Sequence, residues 1–288
     1  MKRLNALLFA LLGIGSTAQA ETIIWLGAEF PPMAMSQGPH AHQGYINALF
    51  GYLQQALPQH QFSEQMVPWS RAMHMAEQGG PYCMIAALKT PERETFLRFT
   101  EPYGHFMPLG LVVHQEQIKQ LAAYLNPAGQ VELERLLDNR QIRLGIASGR
   151  SYGDKIDNLL QAAHAAEGSH LAKVHQGEST RALFGMLDHR RIDYSFGYPT
   201  EIVYFSSNHQ QLRFYPIAGN DQLLAGRFSC TRSKATDQVF ADITRTLENN
   251  GHQAVFKTSY ERWLPDYLHP HYQRLLKQLA TQERTEGH

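Results

Sequence analysis

Few residues in this 288-residue chain have the types and spacing of a catalytic centre. Ser148 lies between Ala147 and Gly149, which gives neither the G-x-S-x-G of a nucleophile elbow nor a phosphate-binding Walker loop. No H-E-x-x-H occurs, and the H-x-H pairs at 40–42 and 269–271 have no neighbouring Cys or acidic cluster that would suit a metal. We therefore expect no catalytic residue, metal or cofactor.

The first twenty residues have the three parts of a secretory signal peptide. Lys2 and Arg3 give a positive start, residues 4–15 are mostly apolar, and small residues precede Ala20. A membrane span needs about 20 apolar residues, so this run is too short for one. We expect cleavage after Ala20 and a periplasmic location.

Composition predicts a folded protein without a nucleic-acid partner. Cleavage leaves 268 residues, enough for two lobes, with 24 basic and 26 acidic side chains. Such a balance lacks the basic excess that nucleic acid requires, and no long charge block indicates a membrane patch. With 43% hydrophobic residues, the chain can form a sizeable core. We expect a folded globular protein.

Short apolar runs alternate with segments of helical periodicity, which predicts an α/β protein with mostly parallel sheets. We predict strands at 22–26, 62–67, 83–88, 109–113, 142–147, 172–175, 193–196 and 222–230. We predict helices at 45–56, 69–78, 179–187, 237–249 and 253–264, and one that begins at Ser151.

Several motifs together resemble one family of binding proteins. The run T-P-E-R at 90–93 follows a predicted strand, and F-T-E-P-Y at 99–103 comes soon after it. In this order the motifs resemble the periplasmic solute-binding proteins of the polar amino-acid uptake type, bacterial extracellular solute-binding protein family 3. The likeness extends to Phe30-Pro31-Pro32, Pro68-Trp69-Ser70, the turn at 145–153 and the segment 251–264.

The resemblance implies a two-lobed periplasmic-binding-protein type II fold, with lobes joined by two crossing strands around a ligand cleft. Its expected parts are the signal peptide 1–20, the first part of lobe one 21–108, lobe two 109–222, the return to lobe one 223–268 and a C-terminal tail 269–288.

The resemblance also implies which residues bind the ligand. Arg93 matches the arginine that holds a ligand carboxylate, a pairing that suits the planar guanidinium. Phe30 and Trp69 match aromatic walls of the cleft. The turn of lobe two, with its free amides at a helix start, would complete an anion site. The implied ligand-binding residues are Phe30, Trp69, Lys89, Thr90, Arg93, Gly149, Arg150, Ser151 and Tyr198.

Three of these residues also have a purely structural alternative. Arg93 could pair only with Glu92 or Glu101. Phe30 and Trp69 could belong to the core, as large aromatic side chains usually do.

Departures from the family pattern change the expected ligand. Tyr198 aligns where amino-acid binders carry an aspartate for the ligand ammonium, and Arg150 replaces a small turn residue. With cations at Lys89, Arg93 and Arg150 and no ammonium partner, an organic anion should bind better than an amino acid. Glu29 and Glu201 are the acidic residues that could reach the cleft and restore the missing charge.

The two cysteines can form one disulfide or remain as two buried thiols. In the fold that the resemblance implies, Cys83 opens the strand before the ligand turn, and Cys230 ends the strand that returns to the same lobe. We therefore predict a Cys83–Cys230 disulfide.

Three functions remain open. The first is a binding protein that delivers a small anion to an ABC permease or membrane receptor, and the second is a ligand-sensing module. The third is a dehydratase-like periplasmic enzyme on the same scaffold, which would need a cleft carboxylate with a raised pKa. Glu29 and Glu201 are the candidates for that carboxylate.

Overall fold

The structure is a computed structural model that describes residues 22–148, 150–165, 171–174, 179–206 and 210–286. Its strands form two separate five-stranded sheets. The predicted signal peptide and Gly149 lie outside the described residues.

The first sheet has the strand order β2-β1-β3-β10-β4. Strands β1, β2 and β3 are parallel, whereas β10 runs antiparallel to both β3 and β4. The strands of this sheet are β1 (Ile23–Gly27), β2 (Phe62–Met66), β3 (Tyr82–Met84), β4 (Leu97–Phe106) and β10 (Leu224–Thr231).

The second sheet has the strand order β7-β6-β8-β5-β9. Here β6 is parallel to β7 and β8, and β5 is antiparallel to β8 and β9. The strands of this sheet are β5 (Gly110–His114), β6 (Leu144–Ala147), β7 (Leu171–Val174), β8 (Tyr194–Gly197) and β9 (Leu212–Tyr215).

Helices cover both sheets. In α1 the residues Tyr45, Leu49 and Leu53 recur at helical spacing and are buried, and the helix ends just before Pro58, which cannot continue it. The helices are α1 (Tyr45–Ala56), α2 (Trp69–Glu77), α3 (Pro91–Glu94), α4 (Ile118–Leu121), α5 (Leu133–Asp138), α6 (Asp154–Ala165), α7 (Ser179–Asp188), α8 (Pro199–Phe205), α9 (Lys234–Glu248), α10 (Gly251–Glu261) and α11 (His269–Glu286).

The chain crosses between the sheets twice, from β4 to β5 and back from β9 to β10. This arrangement confirms the predicted two-lobed α/β fold. The crossings are compatible with residues 109 and 222 as the limits of lobe two, which we propose as its boundaries.

A disulfide joins the two distant parts of lobe one. Cys83 in β3 and Cys230 in β10 are direct partners in the antiparallel pair, with Cα atoms 4.0 Å apart, and both are fully buried. The predicted Cys83–Cys230 disulfide is therefore confirmed. It closes a loop of 147 residues, which includes all of the second sheet.

Several segments differ from the sequence-based prediction. The stretch 97–106 is one long strand, although Pro102 and Gly104 are typical of turns, because both its ends pair with β10. The helix predicted to begin at Ser151 begins at Asp154. The C-terminal stretch set apart as a tail contains the 18-residue α11, which Tyr272 anchors by donating a hydrogen bond to the His105 carbonyl.

Candidate functional site

A cleft of about 460 Å³ lies between the two lobes. Its volume is in the range of ordinary small-ligand sites, roughly 300–1,000 Å³. Most of the lining side chains are apolar. The lining residues are Trp25, Leu26, Gly27, Ala28, Phe30, Met33, Ala34, Ile46, Asn47, Phe50, Glu64, Met66, Trp69, Ile85, Ala86, Leu88, Arg93, Phe106, Arg150, Ser151 and Tyr198.

The strand ends of lobe one form the floor of this cleft. Residues that follow β1 and β3, together with the end of β2, all lie along one edge of the sheet. Ligands commonly bind outside the carboxyl ends of parallel strands. Phe30 and Trp69, predicted from the sequence as aromatic walls, both line the cleft.

Arg93 contributes a guanidinium to the cleft. The Thr90 hydroxyl accepts a hydrogen bond from the Arg93 backbone N–H and so caps the short helix α3. The Arg93 side chain donates to the Leu88 carbonyl at 2.9 Å, and its Cζ lies 6.0 Å from the centre of the Trp69 ring. Among the described residues it forms no ion pair; neither Glu92 nor Glu101 pairs with it. The alternative in which Arg93 serves only to pair with Glu92 or Glu101 is therefore not supported.

Arg150 is paired with an acid, which corrects the prediction of a free cation there. Its two terminal nitrogens donate to the two Glu201 carboxylate oxygens at 3.0 and 3.1 Å. The Arg150 side chain is 17% exposed and that of Glu201 is 3% exposed. Burial lowers the pKa of Arg150, but the Glu201 carboxylate outweighs it and raises that pKa overall. Sequence reasoning missed this pair because its members are 51 residues apart.

Tyr198 of the second lobe contacts Phe30 of the first lobe. It is the N-cap residue of α8, and its backbone N–H donates to the Glu201 carboxylate at 2.7 Å. Its ring lies 6.0 Å from that of Phe30, and the Arg150 Cζ lies 5.4 Å from the Phe30 ring centre. Burial raises the pKa of the Tyr198 hydroxyl, so the group stays neutral. Phe30, Arg150 and Tyr198 therefore form one contact across the cleft.

The turn before α6 is occupied by the carboxylate of Asp157, a residue in the first turn of that helix. The Asp157 side chain accepts from the Ser151 hydroxyl at 2.6 Å and from the Tyr152 backbone N–H at 2.9 Å. The backbone amides of this turn were predicted to be available for a ligand anion, but the Tyr152 amide donates to Asp157 instead. Ser151 lines the cleft, and its hydroxyl also donates to Asp157, so neither group supports the predicted anion site.

Two other predicted ligand residues are not among the lining residues in the described part of the chain. Lys89 pairs with Glu94 at 3.0 Å on the surface, where both side chains are more than 40% exposed. Thr90 serves as the helix cap of α3. Gly149 lies outside the described residues.

The acidic residues also differ from the prediction. Glu29 accepts hydrogen bonds from the Ser36 backbone and hydroxyl and is not among the lining residues in the described part of the chain. The charge of Glu201 is paired with that of Arg150. Glu64, which the sequence analysis did not select, does line it. The signal that could have found Glu64 is its place near the carboxyl end of a predicted strand.

The described residues contain no group of three His, Cys, Asp or Glu side chains that could hold a metal ion. None of the helices described is both long enough and apolar enough to cross a membrane.

Several solved structures with this fold are binding proteins. One is a probable amino-acid ABC transporter extracellular-binding protein, YtmK, from Bacillus subtilis, with a TM-score of 0.60 and 18% identity over 86% of this chain and 99% of that one. Another is the L-cystine solute receptor of Neisseria gonorrhoeae, with a TM-score of 0.55 and 14% identity over 84% and 92%. A third is a histidine kinase sensor domain similar to periplasmic binding proteins, with a TM-score of 0.55 and 14% identity over 84% and 96%.

No protein-family model and no curated protein sequence matches the chain. The structural neighbours nevertheless include several amino-acid ABC transporter substrate-binding proteins at low sequence identity. The chain therefore has the two-lobed fold of those binding proteins, as the resemblance of its sequence predicted.

Proposed function

We propose that this protein is a non-catalytic solute-binding protein whose lobes enclose a small organic molecule with a carboxylate. The observation that carries the proposal is Arg93, a guanidinium without an acidic partner among the described residues, beside Trp69 in a largely apolar cleft. A ligand carboxylate can form a bidentate pair with it. The apolar lining supports burial of the rest of the ligand.

The charges of the cleft refine the ligand class. The expected preference for an anion rested on Lys89, Arg93 and Arg150, but two of these cations already have acidic partners. Arg93 remains as the group for a carboxylate. Glu201, the acid nearest to Tyr198, is paired with Arg150, and burying an unpaired ammonium costs several kcal/mol. We propose that carboxylic acids without an α-ammonium bind better than standard α-amino acids.

A thermal-shift screen followed by calorimetry tests the proposal. Organic acids, amino acids and short peptides would be screened first, because a ligand that binds only the native state raises its melting temperature. The Arg93→Ala variant should then bind the best carboxylate about tenfold to a hundredfold more weakly, since a charge-assisted pair contributes about 1.5–3 kcal/mol.

Arg71→Ala is the matched control. Arg71 is exposed on α2 of the same lobe and does not line the cleft. Its variant should bind within about twofold of the parent. Equal affinity of Arg93→Ala and the parent would refute the assignment of the carboxylate site.

The cellular setting belongs to the same proposal. We propose export by the signal peptide at 1–20, a monomer without a cofactor in the periplasm, and delivery of the ligand to an ABC permease or membrane receptor. The fold shared with extracellular binding proteins supports this setting. Mass spectrometry of the exported protein should find Glu21 at the N-terminus, and retention of residues 1–20 would contradict it.

Sensing is the second candidate function. The shared fold of a histidine kinase sensor domain supports it, since the same closure around a ligand can signal rather than deliver. Deletion of the gene separates the two: loss of ligand uptake supports transport, and intact uptake with an altered transcriptional response supports sensing. The enzyme alternative needs a cleft carboxylate with a raised pKa, and its two predicted candidates do not supply one: Glu29 is not among the lining residues in the described part of the chain, and Glu201 is paired with Arg150. Glu64, which lines the cleft and whose pKa partial burial raises, is the acid that this alternative would use.

A further inference from the structure

Glu64 places a negative charge in the cleft. Along β2 its side chain shares a face with Phe62 and Met66, because alternate residues of a strand point the same way. Met66 and Glu64 line the cleft, and Glu64 remains accessible to solvent there. This arm of the cleft lies beside Asn47 and Phe50 of α1.

Glu64 and Arg93 have opposite charges, and neither forms an ion pair within the described part of the chain. Partial burial raises the pKa of Glu64, and the nearby His42 lowers it by less. Removing a carboxylate from water without a compensating partner is unfavourable. A positive group on a ligand would supply the missing partner, as a carboxylate would for Arg93.

The topology keeps these two charges apart. Strand β1 lies between β2, which carries Glu64, and β3, which leads to Arg93. Two strand spacings amount to about 10 Å. In addition, Trp25 packs against Phe50 of α1, whereas the adjacent Leu26 belongs to the cluster that contains Ala72 of α2. The two helices therefore cover opposite faces of the sheet.

Each charge is associated with one of these faces. Glu64 shares the α1 face with Phe62, which contacts Phe50. Arg93 lies beside Trp69, the first residue of α2. A ligand that contacts both charges must therefore extend across the edge of the sheet that is formed by the carboxyl ends of β1, β2 and β3.

We infer that the cleft selects an elongated zwitterion, with a carboxylate for Arg93 and an ammonium or similar positive group at its far end for Glu64. This inference rests on the proposed function and deepens it. An α-amino acid with a neutral side chain has both charges on one carbon and cannot contact both residues. An ω-amino acid separates its charges by a chain that the apolar lining accommodates.

A set of matched ligands tests the inference by calorimetry. The probes are 4-aminobutyrate, 6-aminohexanoate and 8-aminooctanoate, with octanoate and 2-aminooctanoate as controls for the distal and the α-ammonium. We expect the longer ω-amino acids to bind at least tenfold tighter than both controls, in line with one added charge-assisted contact.

Glu64→Gln separates this inference from the proposed function. It should reduce the affinity for 8-aminooctanoate about tenfold and leave that for octanoate unchanged, whereas Glu77→Gln, on the exposed side of α2, should change neither. The inference would be overturned if octanoate bound as tightly as 8-aminooctanoate, or if no ω-amino acid bound. It would also be overturned if the ratio of the affinities for 8-aminooctanoate and octanoate were the same in Glu64→Gln as in the parent. Loss of octanoate binding in Arg93→Ala would still support the proposed function, and no binding of any carboxylate would refute both.

Discussion

Removal of the Glu201 carboxylate should destabilise the protein strongly. Glu201 accepts two hydrogen bonds from Arg150 and one from the Tyr198 backbone, and its side chain is only 3% exposed. The Glu201→Ala variant leaves Arg150 as a largely buried cation without a counter-ion. Breaking a buried pair in this way costs about 3–5 kcal/mol. The 17% exposure of Arg150 allows some hydration, so we expect a value near the lower end of that range.

Equilibrium urea unfolding measures this loss directly. The control is Glu94→Ala, which breaks the exposed pair with Lys89 and should cost less than about 1 kcal/mol. The double variant Arg150→Met/Glu201→Met removes both charges together, and it should recover much of the stability, since no unpaired charge remains. A loss below about 1 kcal/mol for Glu201→Ala, or a double variant no more stable than the single one, would refute the reasoning.

Three further predictions concern the scaffold. Replacing Cys83 and Cys230 by Ala should lower the free energy of unfolding by about 2–5 kcal/mol, because the disulfide closes a 147-residue loop; a loss below about 1 kcal/mol in urea unfolding would contradict this. His252 is 2% exposed, neither of its ring nitrogens has a hydrogen-bond partner among the described residues, and burial lowers its pKa from 6.5. As the pH falls, the unfolded chain therefore takes up a proton at His252 before the folded protein does, so stability should fall below about pH 6.5. The His252→Phe variant should lose less melting temperature than the parent between pH 7.5 and 5, and equal losses in the two proteins would contradict this prediction. Gly110→Ala in β5 places a Cβ 2.5 Å from the Tyr215 carbonyl oxygen and should cost about 1–3 kcal/mol, whereas Gly51→Ala, with no atom within 4 Å, should cost nothing in the same unfolding assay.

Local periodicity predicted many of the helices and strands, whereas the two-lobed arrangement was implied by the resemblance to the family. Helix α1 agrees with the predicted 45–56, because its apolar spacing and the following Pro58 are both visible in the sequence. Strand β4 was not predicted, because Pro102 and Gly104 resemble turn residues and only pairing with β10 makes the segment extended. The strand predicted at 83–88 ends at Met84, since the chain then turns to line the cleft.

The candidate site was predicted less completely than the fold. The resemblance selected Phe30, Trp69 and Arg93, all of which line the cleft, because each is part of a short local motif. The Arg150–Glu201 pair depends on two segments that come together only in the folded lobe, so no local pattern could indicate it. Glu64 was missed because an acidic residue in an alternating strand is typical of a solvated face.

The carboxylate site at Arg93 is the central claim, and a crystal structure with the tightest-binding carboxylate from the screen tests it most directly. We predict ligand carboxylate oxygens at about 2.7–2.9 Å from the Arg93 guanidinium, the usual length of a charge-assisted hydrogen bond, with the ligand body in contact with Trp69. A ligand whose carboxylate lies elsewhere, with Arg93 still bonded only to the Leu88 carbonyl, would contradict the account.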